Sequence, residues 1–453
     1  MTDTNVLFIP VDDLRPQIGC YGRSQMKTPH LDQLAGEGTL FNQAYCQVPV
    51  CGASRASLLS GRRPTRERFV DYLARVDEDL PSARTLPQHF KENGYETISV
   101  GKVFHHSTDC AKRSWCAEPW RPSSNKGVGW RNYLTPEAIA VAKEEGHRGP
   151  PYECAEVPDN AYFDGRIADR AIAELESLKR SDKPFFLAAG FLKPHLPFNA
   201  PKKYWDLYDE NDVNLADNPF APDDAPEQAL HNFGELRAYF DIPEEGPVPD
   251  DMARNLVHGY YACTSFVDAQ IGRLLQALRE NDLAKNTIVV VWGDHGWQLG
   301  EHGMWCKHCN FKTSLNAPLI FRVPDQRGGV KTDAISEFAD IYPTLCELTG
   351  IDEPDNLAGL SLVSTLDDPD ARVKDAAYSR WYGGESVRTE NFLFTEWRDE
   401  NGETEARMLY DHDSDPDENV NVAGNPENAE LVERFSGLLA ENRERIAAAN
   451  RSW

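Results

Sequence analysis

The chain predicts an α/β fold: a large mixed sheet flanked by helices, followed by a smaller C-terminal unit of antiparallel strands and a helix. Three observations carry that expectation. Residues 5–11, 184–191 and 287–292 are continuous apolar runs of strand length, the pattern of strands buried on both faces as in a parallel sheet. Segments 164–178 and 252–283 repeat apolar residues at helical spacing and stand among those runs. Past residue 369 the pattern changes: alternating segments 390–398 and 406–411 flank Asn401-Gly402, a hairpin turn signal, and 428–449 reads as a closing helix.

At 453 residues the chain is long enough for a large core and two unequal domains. They are expected at 1–360 and 361–453, because Gly, Asp and Pro concentrate at 350–369. Hydrophobic content of 40% and charged content of 26% are those of a globular protein, and no apolar run reaches the length of a membrane span. The opening M-T-D-T-N-V-L-F-I-P-V has no basic start, no long apolar core and no small-residue cleavage site, so it predicts a strand and not a secretory leader. A cytoplasmic location is the expectation for the sequence as written, and a periplasmic, extracellular or lysosomal one if a leader has been removed.

The net charge of −26 argues against nucleic acid or an anionic membrane as partner. It does not exclude an anionic substrate, because a bound cation and a few basic side chains invert the sign of a pocket locally. Ten cysteines scattered through a chain of this length predict reduced thiols and not a disulfide framework. Cys306-x-x-Cys309 is the one close C-x-x-C pair; without a second pair at zinc-ribbon spacing it is weak evidence for a zinc or redox role.

Taken in order, the run 5–11 ends in Asp12-Asp13, and the run 287–292 ends in Gly293-Asp294-His295-Gly296. Open α/β sheets bind ligands beyond the carboxyl ends of their strands. Two strands bringing Asp12, Asp13, Asp294 and His295 to one sheet edge would supply most of a hard-cation site. Between them, V-C-G-A-S-R-A-S-L-L-S-G-R-R-P at 50–64 predicts a short helix, with Ser54 as its cap, Arg55 to Ser60 as its body and Gly61 at its end. Cys51 is thereby expected at a helix N-terminus beside a cation, where negative charge is favoured.

Residues 94–101 read as a strand that leaves Lys102 and His105 at its end. Residues 107–158, rich in Pro, Trp, Gly and charge, are expected as a long irregular insertion on the pocket rim. Lys193 and His195 follow the run 184–191, again at a strand's carboxyl end. The acidic, proline-rich 211–249 is expected as a surface excursion, and Tyr260, Tyr261 and Phe266 of 252–283 as core contacts. Residues 318–323 and 337–348 read as a further strand and helix.

From Cys51 to Arg62 the chain matches C-x-[P/A]-S-R-x-x-x-L-[S/T]-G-R at every specified position, and so resembles the signature of the sulfatase family. Also sulfatase-like are V-D-D-L-R-P at 11–16, G-C-Y-G at 19–22, T-P-H-L-D-Q-L-A at 28–35, G-Y-E-T-I-S-V-G-K-V-F-H at 94–105, K-P-H-L-P-F at 193–198, D-H-G-W-Q-L-G-E-H-G at 294–303 and L-Y-D-H-D-S-D-P-D-E at 409–418. The D-H-G, K-V-F-H and K-P-H-L-P-F forms are most similar to the iduronate 2-sulfatase branch. The resemblance implies an alkaline-phosphatase-like fold and a bound divalent cation, usually calcium, with magnesium as the alternative. It also implies oxidation of Cys51 to Cα-formylglycine by a formylglycine-generating maturation enzyme. The implied substrate is a sulfated carbohydrate, a sulfated uronate or related sugar from an acidic polysaccharide.

The same resemblance implies residue roles. Asp12, Asp13, Asp294 and His295 would ligate the cation together with modified Cys51, although imidazole is an unusual calcium ligand. Cys51 would supply the nucleophile, polarised by Arg55, with His105 taking up a proton as sulfate is released and His195 donating one to the leaving oxygen. Lys102, Lys193 and Lys307 would stabilise charge on the sulfuryl oxygens, and Trp297 and His308 would meet the sugar ring. Two other readings stay open on the sequence: a phosphonate monoester or phosphodiester hydrolase sharing the nucleophile and metal site, and an inactive sulfated-glycan binding protein with Cys51 unmodified.

Overall fold

In the computed structural model, which describes residues 4–451 apart from 125, 145 and 147, seven strands form one mixed sheet. Their order is Val330–Thr332, Thr39–Phe41, Leu319–Arg322, Thr287–Gly293, Asn5–Val11, Phe185–Gly190 and Glu96–Gly101. The last four run parallel, and Leu319–Arg322 lies antiparallel to both its neighbours. Register brings the carboxyl ends of the parallel strands level: Val11 pairs with Gly293, and Gly101 with Gly190. The residues just past those ends are tied together through the backbone. Asp294 N–H donates to Val11 O, Asp12 N–H to Phe191 O and Lys102 N–H to Gly190 O.

Alternate side chains of each strand enter opposite cores, as the two-residue period requires. Val6, Phe8, Phe186, Val290 and Trp292 pack with Leu58 and Leu59 of the helix Cys51–Ser60 and Leu345 of Ile341–Thr349. Leu7, Ile9, Leu187, Val289 and Val291 pack on the other face against Phe163–Leu178, Asp250–Glu280 and Pro29–Glu37. Gly101 and Gly190 allow the edge to close: a Cβ on either would lie 2.0 Å from a backbone oxygen of the opposite segment.

The C-terminal sheet has four antiparallel strands, Ala377–Trp381, Gly384–Arg388, Phe392–Arg398 and Thr404–Asp411. The sequence pattern shows only the last two. One face packs on Val432, Phe435 and Leu439 of the helix Ala429–Arg451. The other packs Trp397, Met408 and Tyr410 against Met304, Cys309 and Phe311. The small sheet therefore braces the loop that carries Lys307. Leu362 and Leu366, the latter in the short helix Val363–Asp367, lie in the same core as Phe8 and Trp292. Among the described residues no helix is long and apolar enough to cross a membrane.

Candidate active site

The segment expected to begin its helix after Ser54, at Arg55, begins it four residues earlier, at Cys51. Val50 is extended, the helix runs Cys51–Ser60, and Gly61 ends it in the left-handed region at φ 65°. Ser54 is thus not a cap. Its hydroxyl donates to the Asp294 carbonyl at 2.5 Å, fastening the helix to the sheet edge. Cys51 heads the helix with its thiol turned into the point where the strand ends converge. Cys51 Sγ lies 3.7 Å from Asp13 Oδ1 and 3.4 Å from His295 Nε2.

Around that thiol, Asp12, Asp13 and Asp294 are buried and each is held by named donors. Arg55 donates Nε to Asp294 Oδ2 at 2.8 Å and Nη2 to Asp12 Oδ1 at 3.1 Å, and its Nη1 binds the carbonyls of Lys102 and Val103. Lys102 Nζ donates to the other Asp12 oxygen. Asp13, at φ 60°, receives Lys307 Nζ on both oxygens at 3.1 Å, and its N–H donates to Asp294 Oδ1. Tyr260 O–H donates to the Asp13 carbonyl, so this core tyrosine also steadies the turn. Burial opposes ionisation of Asp12, but the Lys102 and Arg55 charges outweigh it and hold the carboxyl well below its usual range. For Asp13, burial and the neighbouring Asp12, Glu235 and Asp294 outweigh Lys307 and push it well up.

His295 donates Nδ1–H to the Gly296 carbonyl at 2.9 Å. Its Nε2 therefore turns a lone pair toward Cys51, Asp13 Oδ1 at 3.3 Å and Asp294 Oδ1 at 3.6 Å. Two groups of potential ligands meet at Cys51, one with Asp12, Asp13 and His195 and one with Asp294 and His295. The three buried carboxylates among them make an oxygen-rich donor set that fits a hard divalent cation. The same convergence overrules the expectation that the helix end favours charge on Cys51. Burial and the Asp12 carboxylate push its thiol well up, so an unmodified Cys51 is a weak nucleophile here.

His195 donates Nδ1–H to Leu196 O at 2.6 Å, which leaves Nε2 facing Glu235 Oε1 at 3.4 Å and Asp13 Oδ2 at 3.8 Å. Burial, with Lys307 and Lys102, pushes its imidazolium down to about 3 against the pull of Asp12 and Glu235. His105 lies half-buried beside Tyr72 and His106, with its buried Nδ1 unpartnered. Burial and Lys102 push it down as well. His308 lies half-buried, its ring 5.1 Å from that of Trp381.

Two expected substrate contacts are corrected. Trp297 is 1% exposed, packed between Phe198 and the Lys307 ammonium 4.8 Å above its ring. It supports Lys307 from below and cannot meet a sugar. Lys193 is buried and donates Nζ to the carbonyls of His195 and Pro197, so it clamps the loop that carries His195 instead of facing an anion. Glu235 is the residue that sequence reasoning misses. It comes from the short helix Gly234–Arg237, inside the stretch expected as a surface excursion, and reaches Lys307 Nζ at 3.0 Å as well as His195. Cys306 and Cys309 are free thiols, and Cys309 contacts Ser314. Among the described residues neither joins a group of metal-ligating side chains.

Comparison with known proteins agrees with this geometry. The family model described as Sulfatase matches residues 4–351, and that described as N-sulphoglucosamine sulphohydrolase, C-terminal, matches 300–445. Iduronate 2-sulfatase of Homo sapiens is 37% identical over 386 residues, covering 77% of this chain and 70% of the human protein. A sulfatase of Formosa agariphila is 31% identical over 452 residues, covering 96% of this chain and 86% of its own. Among solved structures, the phosphonate monoester hydrolase of Silicibacter pomeroyi matches with a TM-score of 0.78 at 20% identity, over 98% of this chain and 95% of that one. That last likeness is one of fold.

Proposed function

The chain belongs to the sulfatase family and is a sulfuric ester hydrolase, and from that premise we propose that it desulfates a sugar of an acidic polysaccharide through a nucleophile made from Cys51. The observation that carries the reading is Cys51 at a helix N-terminus, its thiol among Asp12, Asp13, Asp294 and His295. Asp12, Asp13, Asp294 and His295 would hold a divalent cation, and Cys51, once oxidised to formylglycine by a maturation enzyme, would supply an oxygen nucleophile beside it.

The chain's own residues account for the rest. Arg55 fixes the Asp12 and Asp294 carboxylates in place. Lys102 and Lys307 set two ammonium groups beside Cys51 where negative charge on sulfuryl oxygens must be balanced. A bound sulfate ester adds an anion next to His195 and raises its affinity for the proton that Nε2 delivers to the leaving oxygen. His105, beside Tyr72 and His106, is the base for the proton lost as sulfate departs. Similarity to iduronate 2-sulfatase supports a sulfated uronate or a related sugar as the substrate.

The test pairs a mass measurement with a substrate panel. The peptide containing Cys51 should have its thiol sulfur replaced by a carbonyl oxygen. Protein of that verified state should release sulfate from sulfated uronate mono- and disaccharides faster than it hydrolyses phosphonate monoesters or phosphodiesters. Unmodified Cys51 in protein made with a maturation enzyme, or faster turnover of the phosphorus esters, would overturn the reading.

A further inference from the structure

Three aromatic rings mark the rim of the site: Tyr72 beside His105, Trp130 edge-on to His195, and Trp381 beside His308. Tyr382, next to Trp381 in the chain, lines a cleft of about 400 Å³ together with Val48, Arg66, Arg380 and Arg398 among others. Contacts join it to the site. The Trp381 ring is 5.1 Å from His308 and 4.6 Å from Tyr382. His308 N–H donates to the Pro49 carbonyl, next to Val48 and two residues before Cys51. Tyr382 is 65% exposed, the most open large hydrophobic side chain among the described residues. It lines the cleft, and its exposed ring gives the flat face of a sugar something to lie on.

Three guanidiniums in one cleft are unexpected in a chain of net charge −26. Arg66 donates to the main-chain carbonyls of Arg398 and Asp399, and Arg398 to that of Gly402. Arg380 binds Glu385, a carboxylate that Arg443 also binds. Of the acids lining the cleft, Asp399 accepts from the Glu403 N–H and the Asn401 amide, while Glu400 and Glu405 are exposed side chains. Glu385 balances Arg380, but main-chain carbonyls orient Arg66 and Arg398 without cancelling their charge, so these two remain suited to a carboxylate or sulfate.

We propose that this cleft is a second subsite, in which Tyr382 carries the neighbouring sugar of the substrate and Arg66 and Arg398 bind its carboxylate or sulfate group. The inference rests on the sulfatase reading and narrows it: the enzyme acts on an anionic oligosaccharide and not on an isolated sulfated sugar. At about 400 Å³ the cleft is within the range of small-ligand pockets, which start near roughly 300 Å³.

Binding and turnover test it separately. In calorimetry with Cys51→Ala protein, a sulfated heparin tetrasaccharide should bind at least about 10-fold tighter than a sulfated uronate monosaccharide, the scale of one charge-assisted bond. Adding Arg66→Gln or Tyr382→Ala, both exposed positions, should erase that advantage. In the active enzyme the same changes should raise KM for the tetrasaccharide by a similar factor, with kcat and the hydrolysis of 4-nitrophenyl sulfate little changed. Equal affinity for the two sugars, or equal losses on tetrasaccharide and aryl sulfate, would overturn the subsite. If the wild-type enzyme desulfated nothing, the sulfatase reading would fail while calorimetry still decided the cleft.

Discussion

Arg55 Nε donates to Asp294 Oδ2 at 2.8 Å, with both side chains fully buried. The arginine of the cysteine-bearing helix is thereby locked to a carboxylate at the end of a central strand, and its other arm holds Asp12. Removing one partner of a buried pair leaves an uncompensated charge, at a cost of about 3–5 kcal/mol. Arg55→Ala is expected to lose stability on that scale in urea unfolding. Arg55→Lys should also lose activity, because an ammonium cannot span Asp12 and Asp294 together. A loss under about 1 kcal/mol for Arg55→Ala would show that the pair does not organise the site.

Asp12, Asp13 and Asp294 repel one another unless positive charge lies between them. A ligand that binds only the folded protein stabilises it by about 2.7 kcal/mol at 100 times its Kd. Added calcium or magnesium should therefore raise the Tm of chelator-treated protein, and Asp13→Asn with Asp294→Asn should abolish the rise. A Tm that ignores both chelator and cation would count against the site, whatever the activity does.

A second buried cluster joins the short strand Ser336–Glu337, paired with Ala44–Tyr45, to the C-terminal sheet. Glu337 receives Arg63 Nη1 and Nη2 at 2.7 and 2.6 Å and Lys374 Nζ at 2.7 Å, and accepts the Tyr378 N–H from the strand Ala377–Trp381. Burial raises the proton affinity of Glu337, but Arg63 and Lys374 outweigh it and hold the carboxyl well below its unfolded value. Its contribution to stability is then complete above the unfolded value, about 4.3, and is lost as pH falls below that toward the depressed folded value. Asp340, raised by burial and by Glu337 against the pull of Lys374, has the opposite sign and partly offsets it. Glu337→Gln should lower stability at pH 7 and flatten the acid limb of the stability–pH curve. An unchanged acid limb would sink this account.

The strands 5–11, 184–191 and 287–292 were legible because burial on both faces leaves an unbroken apolar run. Ala377–Trp381 and Gly384–Arg388 were not, since Ser379, Arg380, Glu385 and Ser386 interrupt any such pattern. The site followed the same rule. Asp12, Asp13, Lys102, Asp294 and His295 stand directly after strands, so the strand ends place them. Trp297 is adjacent in sequence to that loop but points into the core, and adjacency carries no direction. Glu235 sits in an acidic loop where nothing separates it from solvated neighbours until the fold brings it to Lys307. Lys193 and His195 share one loop, but Lys193 is spent on the loop's own carbonyls while His195 faces Glu235 and Asp13, a distinction set by hydrogen bonds that the sequence does not show.

That distinction gives the sharpest kinetic test. His195 has Nδ1–H committed to Leu196 O, so Nε2 is the only ring atom able to pass a proton to substrate. A sugar alkoxide is a poor leaving group and needs that proton in the transition state, whereas nitrophenolate departs with little help. General-acid assistance amounts to about 10²–10⁴-fold. His195→Ala should therefore slow sugar sulfates more than 4-nitrophenyl sulfate by a factor in that range. Lys193→Ala, which frees the carbonyls of His195 and Pro197, should displace the loop and its acid and so reproduce part of that sugar-selective loss. His105→Ala, acting after the leaving group has gone, should instead affect both substrates alike wherever that later step limits the rate. Glu235→Gln keeps its shape but removes the carboxylate that faces both Lys307 and His195. It should weaken the His195 proton and so reproduce part of the sugar-selective loss. Equal loss on both substrates in His195→Ala would mean that His195 binds the sulfate group and donates no proton. Lys307, next to the same Glu235, would then be the remaining acid.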